Sequence, residues 1–141
     1  MAVRKLVNQV GCAGSSLTFI ATAAITVSTA GKYPGGLFLK LDTDPNNAVI
    51  TGAGDIPIVV CRQNVAAGAK GSGRCDVGHL TLITLGDTCT LDADGTALVK
   101  ADAAGKAVLH TTSANVAGTI LKAGVVGDVV PLLFRVGRPV A

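Results

Sequence analysis

The sequence predicts a mainly β protein, a small β-sandwich or β-barrel with extended terminal arms. All nine acidic residues are Asp and none is Glu; Glu favours helices, whereas Asp favours turns and caps. The 18 Gly residues, with abundant Thr and Val, favour strands joined by tight turns. Short apolar runs also recur at nearly even spacing, each followed by an Asp or Gly turn, which is typical of a sandwich or a small barrel.

In the first half of the chain, residues 1–10 are predicted to form a short strand or an arm. Later apolar runs are separated by the turn Tyr33-Pro34-Gly35-Gly36 and by a dense turn cluster at 42–47. The strands predicted from these runs are 17–29 (one long strand or a hairpin), 37–41, 48–51 and 56–61.

The composition changes between Asn64 and Asp76, where residues 66–73 are almost all Ala and Gly. Such a stretch predicts a flexible loop, either mobile or ordered by an interface. The length suits a single domain over 1–141, and the only candidate lobe boundary lies near 63–77.

The second half is more regular, with turns such as Gly86-Asp87 and Gly127-Asp128 between its apolar runs. The stretch 113–121 is compatible with a short helix as an alternative to a strand. The strands predicted here are 79–85, 88–91, 97–100, 107–111, 117–122 and 129–136.

The low charge content favours an assembly. Charged residues make up 15% of the chain, against roughly 25% in an ordinary soluble domain. The hydrophobic fraction is 49% with only 3% aromatics, so the core consists of small aliphatic side chains. Because subunit interfaces are depleted in charge, we expect an obligate oligomer or a subunit of a larger structure. A compact monomer covered in Thr, Ser and Asn is the alternative.

Nucleic acid and membranes are not expected partners. The 12 basic residues give a net charge of +3 but form no cluster, and nucleic-acid binding needs clustered charge. Arg4-Lys5 and the apolar residues after it faintly suggest a signal peptide, but Gly11, Gly14 and Ser15 interrupt the run. No uninterrupted apolar span reaches the roughly 20 residues that cross a bilayer. We therefore expect synthesis in the cytoplasm without export.

Three loops resemble ligand-binding motifs without completing them. In Gly68-x4-Gly73-Arg74-Cys75, Arg stands where a phosphate-binding loop has Lys, and Cys stands where it has a hydroxyl. Asp42-x-Asp44-x-Asn46 and Asp92-x-Asp94-Gly95 resemble the starts of calcium loops, but an EF-hand also requires a Glu at its twelfth position. We expect hairpin turns there, with no cofactor and no metal.

The cysteines and histidines are not arranged as a recognisable site. Cys12, Cys61, Cys75 and Cys89 include no C-x2-C pair, and their spacing to His79 and His110 does not indicate zinc. Cys75-x3-His79, oriented by Asp76 or Asp87, would make a thiolate–imidazole pair. The favoured interpretation is a buried, inert Cys on a strand and a surface His. A Cys61–Cys75 disulfide closing the loop is a further hypothesis.

Carboxylates in Gly-rich turns are also the solvated pattern rather than that of a catalytic pair. We therefore predict no catalytic, cofactor-binding or metal-binding residues, and a protein that is not an enzyme.

Two stretches of the second half carry a family resemblance. Gly86-Asp87-Thr88-Cys89-Thr90-Leu91-Asp92-Ala93-Asp94-Gly95-Thr96 is followed by the segment from Ala117-Gly118-Thr119-Ile120 through Gly127-Asp128-Val129-Val130-Pro131-Leu132-Leu133-Phe134. The last 55 to 75 residues or so resemble the capsid decoration (cement) proteins of tailed bacteriophages.

The resemblance implies a viral structural protein on the capsid exterior. It would bridge subunits of the major capsid protein and associate with itself, as a homotrimer or a dimer. Candidate arms for contacts with neighbours are residues 2–10 and 135–141. Two alternatives remain: another virion structural component, such as a minor capsid or head-fibre protein, or a carbohydrate-binding β-sandwich. The latter usually presents Trp or Tyr platforms, and Tyr33 is the only such residue here.

Overall fold

The computed structural model describes residues 16–28, 32–111 and 114–137. Within those ranges the chain contains ten strands and no helix, which confirms the predicted mainly β class. The strands are β1 (Ser16–Ala21), β2 (Leu37–Leu41), β3 (Asn47–Ile50), β4 (Val59–Cys61), β5 (Lys70–Arg74), β6 (Leu80–Thr84), β7 (Ala97–Ala101), β8 (Ala107–Leu109), β9 (Val116–Ile120) and β10 (Val129–Gly137).

The first five strands form a closed barrel in the order β1-β3-β2-β4-β5. β1 closes it by pairing antiparallel with β5, from Ser16 opposite Arg74 to Ile20 opposite Lys70. The β1–β3 pair is parallel and the remaining pairs are antiparallel. Because the barrel is closed, each of its five strands pairs with a neighbour on both sides, and the barrel has no free edge strand.

The last five strands form an antiparallel sheet in the order β6-β10-β9-β7-β8. Its long strand β10 lies between β6 and β9, with an irregularity in its register between Phe134 and Gly137. Alternate residues of β10, Val130, Leu132 and Phe134, are buried, because successive side chains of a strand point to opposite faces.

The barrel and the sheet share a hydrophobic core. Phe38 of β2 and Val60 of β4 belong to the cluster built on the sheet, and the ring of Phe38 stacks on that of Phe134 with centroids 6.5 Å apart. The backbone N–H of Phe38 donates to the carbonyl of Gly105 at 2.7 Å, and that of Gly36 donates to the carbonyl of Leu82 at 3.0 Å. The two sheets are therefore joined by both packing and main-chain hydrogen bonds.

The predicted flexible loop at 64–76 is wrong for its second half, which is strand β5. Glycine is needed at two positions of β5 because the strand passes so close to its neighbours that a larger side chain would collide with them. A Cβ on Gly71 would lie 2.7 Å from Val65 and 3.0 Å from the Phe19 ring, and one on Gly73 would lie 2.4 Å from the carbonyl oxygen of Val60. A composition typical of loops here reflects tight packing.

Several strand boundaries also differ from the prediction. The 17–29 segment is strand only to Ala21, after which Ile25 and Ser28 form isolated bridges. Only Val59–Cys61 of 56–61 is a strand, and within 88–91 only Cys89 bridges, to Gly124. The short helix considered for 113–121 is wrong, because Val116–Ile120 pairs with both β7 and β10.

The terminal arms are mostly beyond what the structure describes. Residues 1–10 and 138–141 lie outside the described residues. Residues 135–137, predicted as the start of the C-terminal arm, belong to β10 instead. The described part of the chain contains no helix long and apolar enough to cross a membrane.

Candidate functional site

An apolar groove of about 370 Å³ lies between the barrel and the end of β10. Side chains from several separate segments converge on it, so no single stretch of sequence could have indicated it. The groove is lined by Leu17, Leu41, Pro45, Ile56, Pro57, Ile58, Cys75, Val77, Phe134 and Val136.

The lining grades from buried to exposed. Phe134 and Cys75 are buried, whereas Leu41 is 45% and Val77 53% exposed. Large apolar side chains left exposed beside a buried apolar floor commonly mark an interaction surface. The groove is therefore suited to an apolar chain segment.

A polar cluster lies next to the groove, on the segment that leads from the barrel to the sheet. The guanidinium of Arg74 donates to both carboxylate oxygens of Asp76, from Nε at 3.1 Å and from Nη2 at 2.7 Å. Burial acts to raise the pKa of Asp76, but the Arg74 hydrogen bonds and the nearby cationic charge outweigh it and lower the pKa. This bidentate pair holds Asp76 against Arg74, the last residue of β5.

His79 is buried within the same cluster, so the predicted surface histidine is wrong. Its Nδ1 lies 2.5 Å from the carbonyl oxygen of Asp76, and its ring lies 5.3 Å from that of Phe134. Its Nε2 is buried without a hydrogen-bond partner among the described residues. The backbone N–H of Phe134 also donates to the carbonyl of His79 at 2.9 Å. The histidine thus belongs to the packing between this segment and β10.

The described cysteines are buried and not in disulfides, so the Cys61–Cys75 bridge is not formed. Cys61 instead donates from Sγ to the carbonyl of Gln63 at 3.3 Å. Burial raises the pKa of the Cys61, Cys75 and Cys89 thiols. This is opposite to the shift that activates a thiolate nucleophile. Cys12 lies outside the described residues.

The two calcium-like motifs are hydrogen-bonded turns. Asp44 accepts from the backbone N–H of Asn46 at 3.0 Å. Asp94 accepts from both the N–H and the hydroxyl of Thr96, at 3.0 and 2.8 Å, which lowers its pKa. No group of three or more potential metal ligands comes together in the described ranges.

Other residues considered from the sequence lie apart from the groove. Asp87 accepts from the N–H of Thr88 at 2.7 Å, and His110 Nε2 lies 2.8 Å from the carbonyl oxygen of Ala114. The Gly68–Cys75 motif runs along β5 rather than wrapping a phosphate. Tyr33 is exposed, with the Lys32 ammonium 5.5 Å from its ring centroid.

Comparison with known proteins gives a similarity of fold to a solved structure. No protein-family model matches the chain, and no curated protein matches it. Among solved structures, the chain is similar to the head fibre gp8.5 N base of bacteriophage phi29, with a TM-score of 0.63 over 87% of this chain and 95% of that one. The chain shares the fold of that base. Their sequences are 18% identical, so the likeness is one of fold, and no family model supports the finer resemblance to decoration proteins.

Proposed function

We propose that the chain is a structural component of a bacteriophage virion, carried on the outside of the head. The observation that carries this proposal is the fold similarity to a phage head-fibre base, which extends over nearly all of both chains. A fold alone does not define a function. The proposal therefore also uses the composition and the surface of this chain.

Both favour a protein that works by contact. The charge content of 15% is low for a surface exposed to water on all sides. The β9–β10 connection also exposes two adjacent apolar side chains, Val125 at 54% and Val126 at 63%. Such surfaces suit subunits of assemblies.

In this role the chain would bind the major capsid protein and associate with itself, as a homotrimer or a dimer. The proposed role has no catalytic step. Two finer versions differ in what binding does to the shell. A decoration protein bridges several capsid subunits, so its binding free energy opposes their separation. A fibre base only anchors a projection.

Binding to heads tests the proposal directly. Heads from a phage lacking this gene would be mixed with the purified full chain and separated by size, with light scattering used to obtain the oligomeric state of the free protein. We expect a fixed number of copies to elute with the heads, and the free chain to be a trimer or dimer. Heads of an unrelated phage are the control. If the chain bound neither the heads of the phage lacking this gene nor those of the unrelated phage, the proposal would be contradicted.

Heating the same samples separates the two versions. Bridging predicts that bound heads release their DNA at a higher temperature than bare heads, because ligand binding stabilises the bound state. If the chain is a fibre base that does not bridge capsid subunits, bound and bare heads should release their DNA at the same temperature.

A further inference from the structure

We propose that the apolar groove is the docking site of the chain's own N-terminal segment, residues 1–10. This inference concerns a contact within one molecule and does not rest on the proposed virion role. Three observations carry it: where the chain enters the described structure, the sequence of the segment, and the charge at the groove rim.

The chain enters β1 at the groove itself. β1 begins at Ser16, and the next residue, Leu17, lines the groove. The five residues before β1, Gly11-Cys12-Ala13-Gly14-Ser15, include two glycines, which permit the chain to reverse direction. Five residues span at most about 17 Å. The segment before them is thus tethered within reach of the groove.

The segment has the side chains that the groove would accept. Six of its ten residues, Met1, Ala2, Val3, Leu6, Val7 and Val10, are apolar. The exposed rim residues Leu41 and Val77 are the large apolar side chains that it would cover. Removing both sets from water favours the docked arrangement.

Charge at the rim matches the charge of the segment. Asp42, which is half-buried, follows Leu41, and the exposed Asp44 precedes Pro45, so two carboxylates flank groove residues. Asp42 accepts a hydrogen bond from the Thr22 hydroxyl at 2.7 Å, and the charge of Lys40 contributes to lowering its pKa. Within the described residues, no direct salt bridge is formed by Asp42 or by Asp44. Arg4 and Lys5 are the basic residues of the segment. Opposite charges across a contact favour one docking orientation over others.

The short connection favours the chain's own segment over that of a second copy. A short linker holds a tethered group at an effective concentration in the millimolar range. The segment of another molecule competes only at the protein concentration.

Limited proteolysis of the full chain tests this inference, because Arg4 and Lys5 are also trypsin sites. When opening and closing are fast, cleavage follows the population of the undocked form. We expect cleavage after these residues to be at least about tenfold slower in the protein than in a synthetic peptide of residues 1–15. The N-terminal products would be followed by mass spectrometry.

Two variants should restore fast cleavage. Val77→Asp places a charge on the groove rim, and Val10→Asp places one on the segment; each should speed cleavage by about tenfold. Val126→Asp is the matched control, because Val126 is equally apolar, is 63% exposed and lies outside the groove. It should leave the rate unchanged. Val10→Asp alters no described residue, so it tests the contact even if Val77→Asp disturbs folding.

Three results would overturn the inference. The first is wild-type cleavage as fast as that of the free peptide. The second is a wild-type rate in both Val77→Asp and Val10→Asp. The third is a rate that falls as the protein concentration rises, which would show that the segment docks on a second copy instead.

Discussion

The stacked pair Phe38 and Phe134 should couple the stability of the barrel to that of the second sheet. Both rings are buried, at 0% and 1% exposure, and they come from different sheets. An aromatic pair contributes about 0.5–1.5 kcal/mol beyond the area that it buries. Each Phe→Leu change also removes apolar contact worth about 0.8 kcal/mol per methylene. Each single variant should therefore lose about 1–3 kcal/mol of unfolding free energy.

The double variant should lose less than the sum of the two single losses, by about 0.5–1.5 kcal/mol. Equilibrium urea unfolding followed by circular dichroism measures all four proteins. If the slope with urea stays unchanged, the midpoint shifts report stability.

A second cycle provides the control. Phe19 is buried in the barrel cluster beside Gly71, apart from the cluster that holds Phe134. Phe19→Leu combined with Phe134→Leu should be additive to within about 0.3–0.5 kcal/mol. If the Phe38 and Phe134 cycle were equally additive, the ring contact would not join the sheets and the reasoning would be refuted.

Three further predictions concern single positions. Asp76→Asn should destabilise the fold by about 1 kcal/mol, a value discounted because Arg74 is 45% exposed. Because the folded-state pKa of Asp76 is lowered, its stabilisation is present above its ordinary value of 3.8 and is lost as the pH falls through the folded value. Acid titrations of unfolding should therefore show a smaller loss in the variant than in wild type. Gly105→Ala should lower the melting temperature more than Gly95→Ala does. Both glycines have positive φ (73° and 82°), but only a Cβ at Gly105 would meet backbone, 2.9 Å from the carbonyl oxygen of Phe38. Equal melting temperatures for the two variants would contradict this. Cys61 should resist iodoacetamide in the folded protein and react after denaturation, as read by peptide mass spectrometry, because burial raises its pKa.

The β class could be predicted because it depends on local patterns. Leu37–Leu41 was predicted with its observed bounds, and the strand predicted at 48–51 is observed one residue earlier. Asp-rich turns such as the one at Asp94 follow from side-chain hydrogen bonds to nearby backbone, which are also local.

The errors arose where distant packing decides the structure. β5 has a loop-like composition because Phe19 and Val60 leave room only for glycine at two of its positions. His79 is buried because Phe134, far along the chain, covers its ring. The groove likewise joins residues from both ends of the described chain, Leu17 and Val136. Sequence spacing contains no direct signal for such contacts.

The way in which the barrel closes has a consequence for synthesis on the ribosome. β1 finds its antiparallel partner only in β5, where Ser16 pairs with Arg74, and its other neighbour, β3, also comes later in the chain. Chains grow at about 5–20 residues per second, so β1 waits for several seconds before β5 is made. During that interval only Ile20 and Ala21 of β1 have a partner strand available, in β3, so the edge that pairs with β5 stays open. Phe19, which is buried in the folded protein, then lacks part of its packing. We therefore expect chaperone contact during translation to be concentrated on the first part of this protein and to end when β5 emerges.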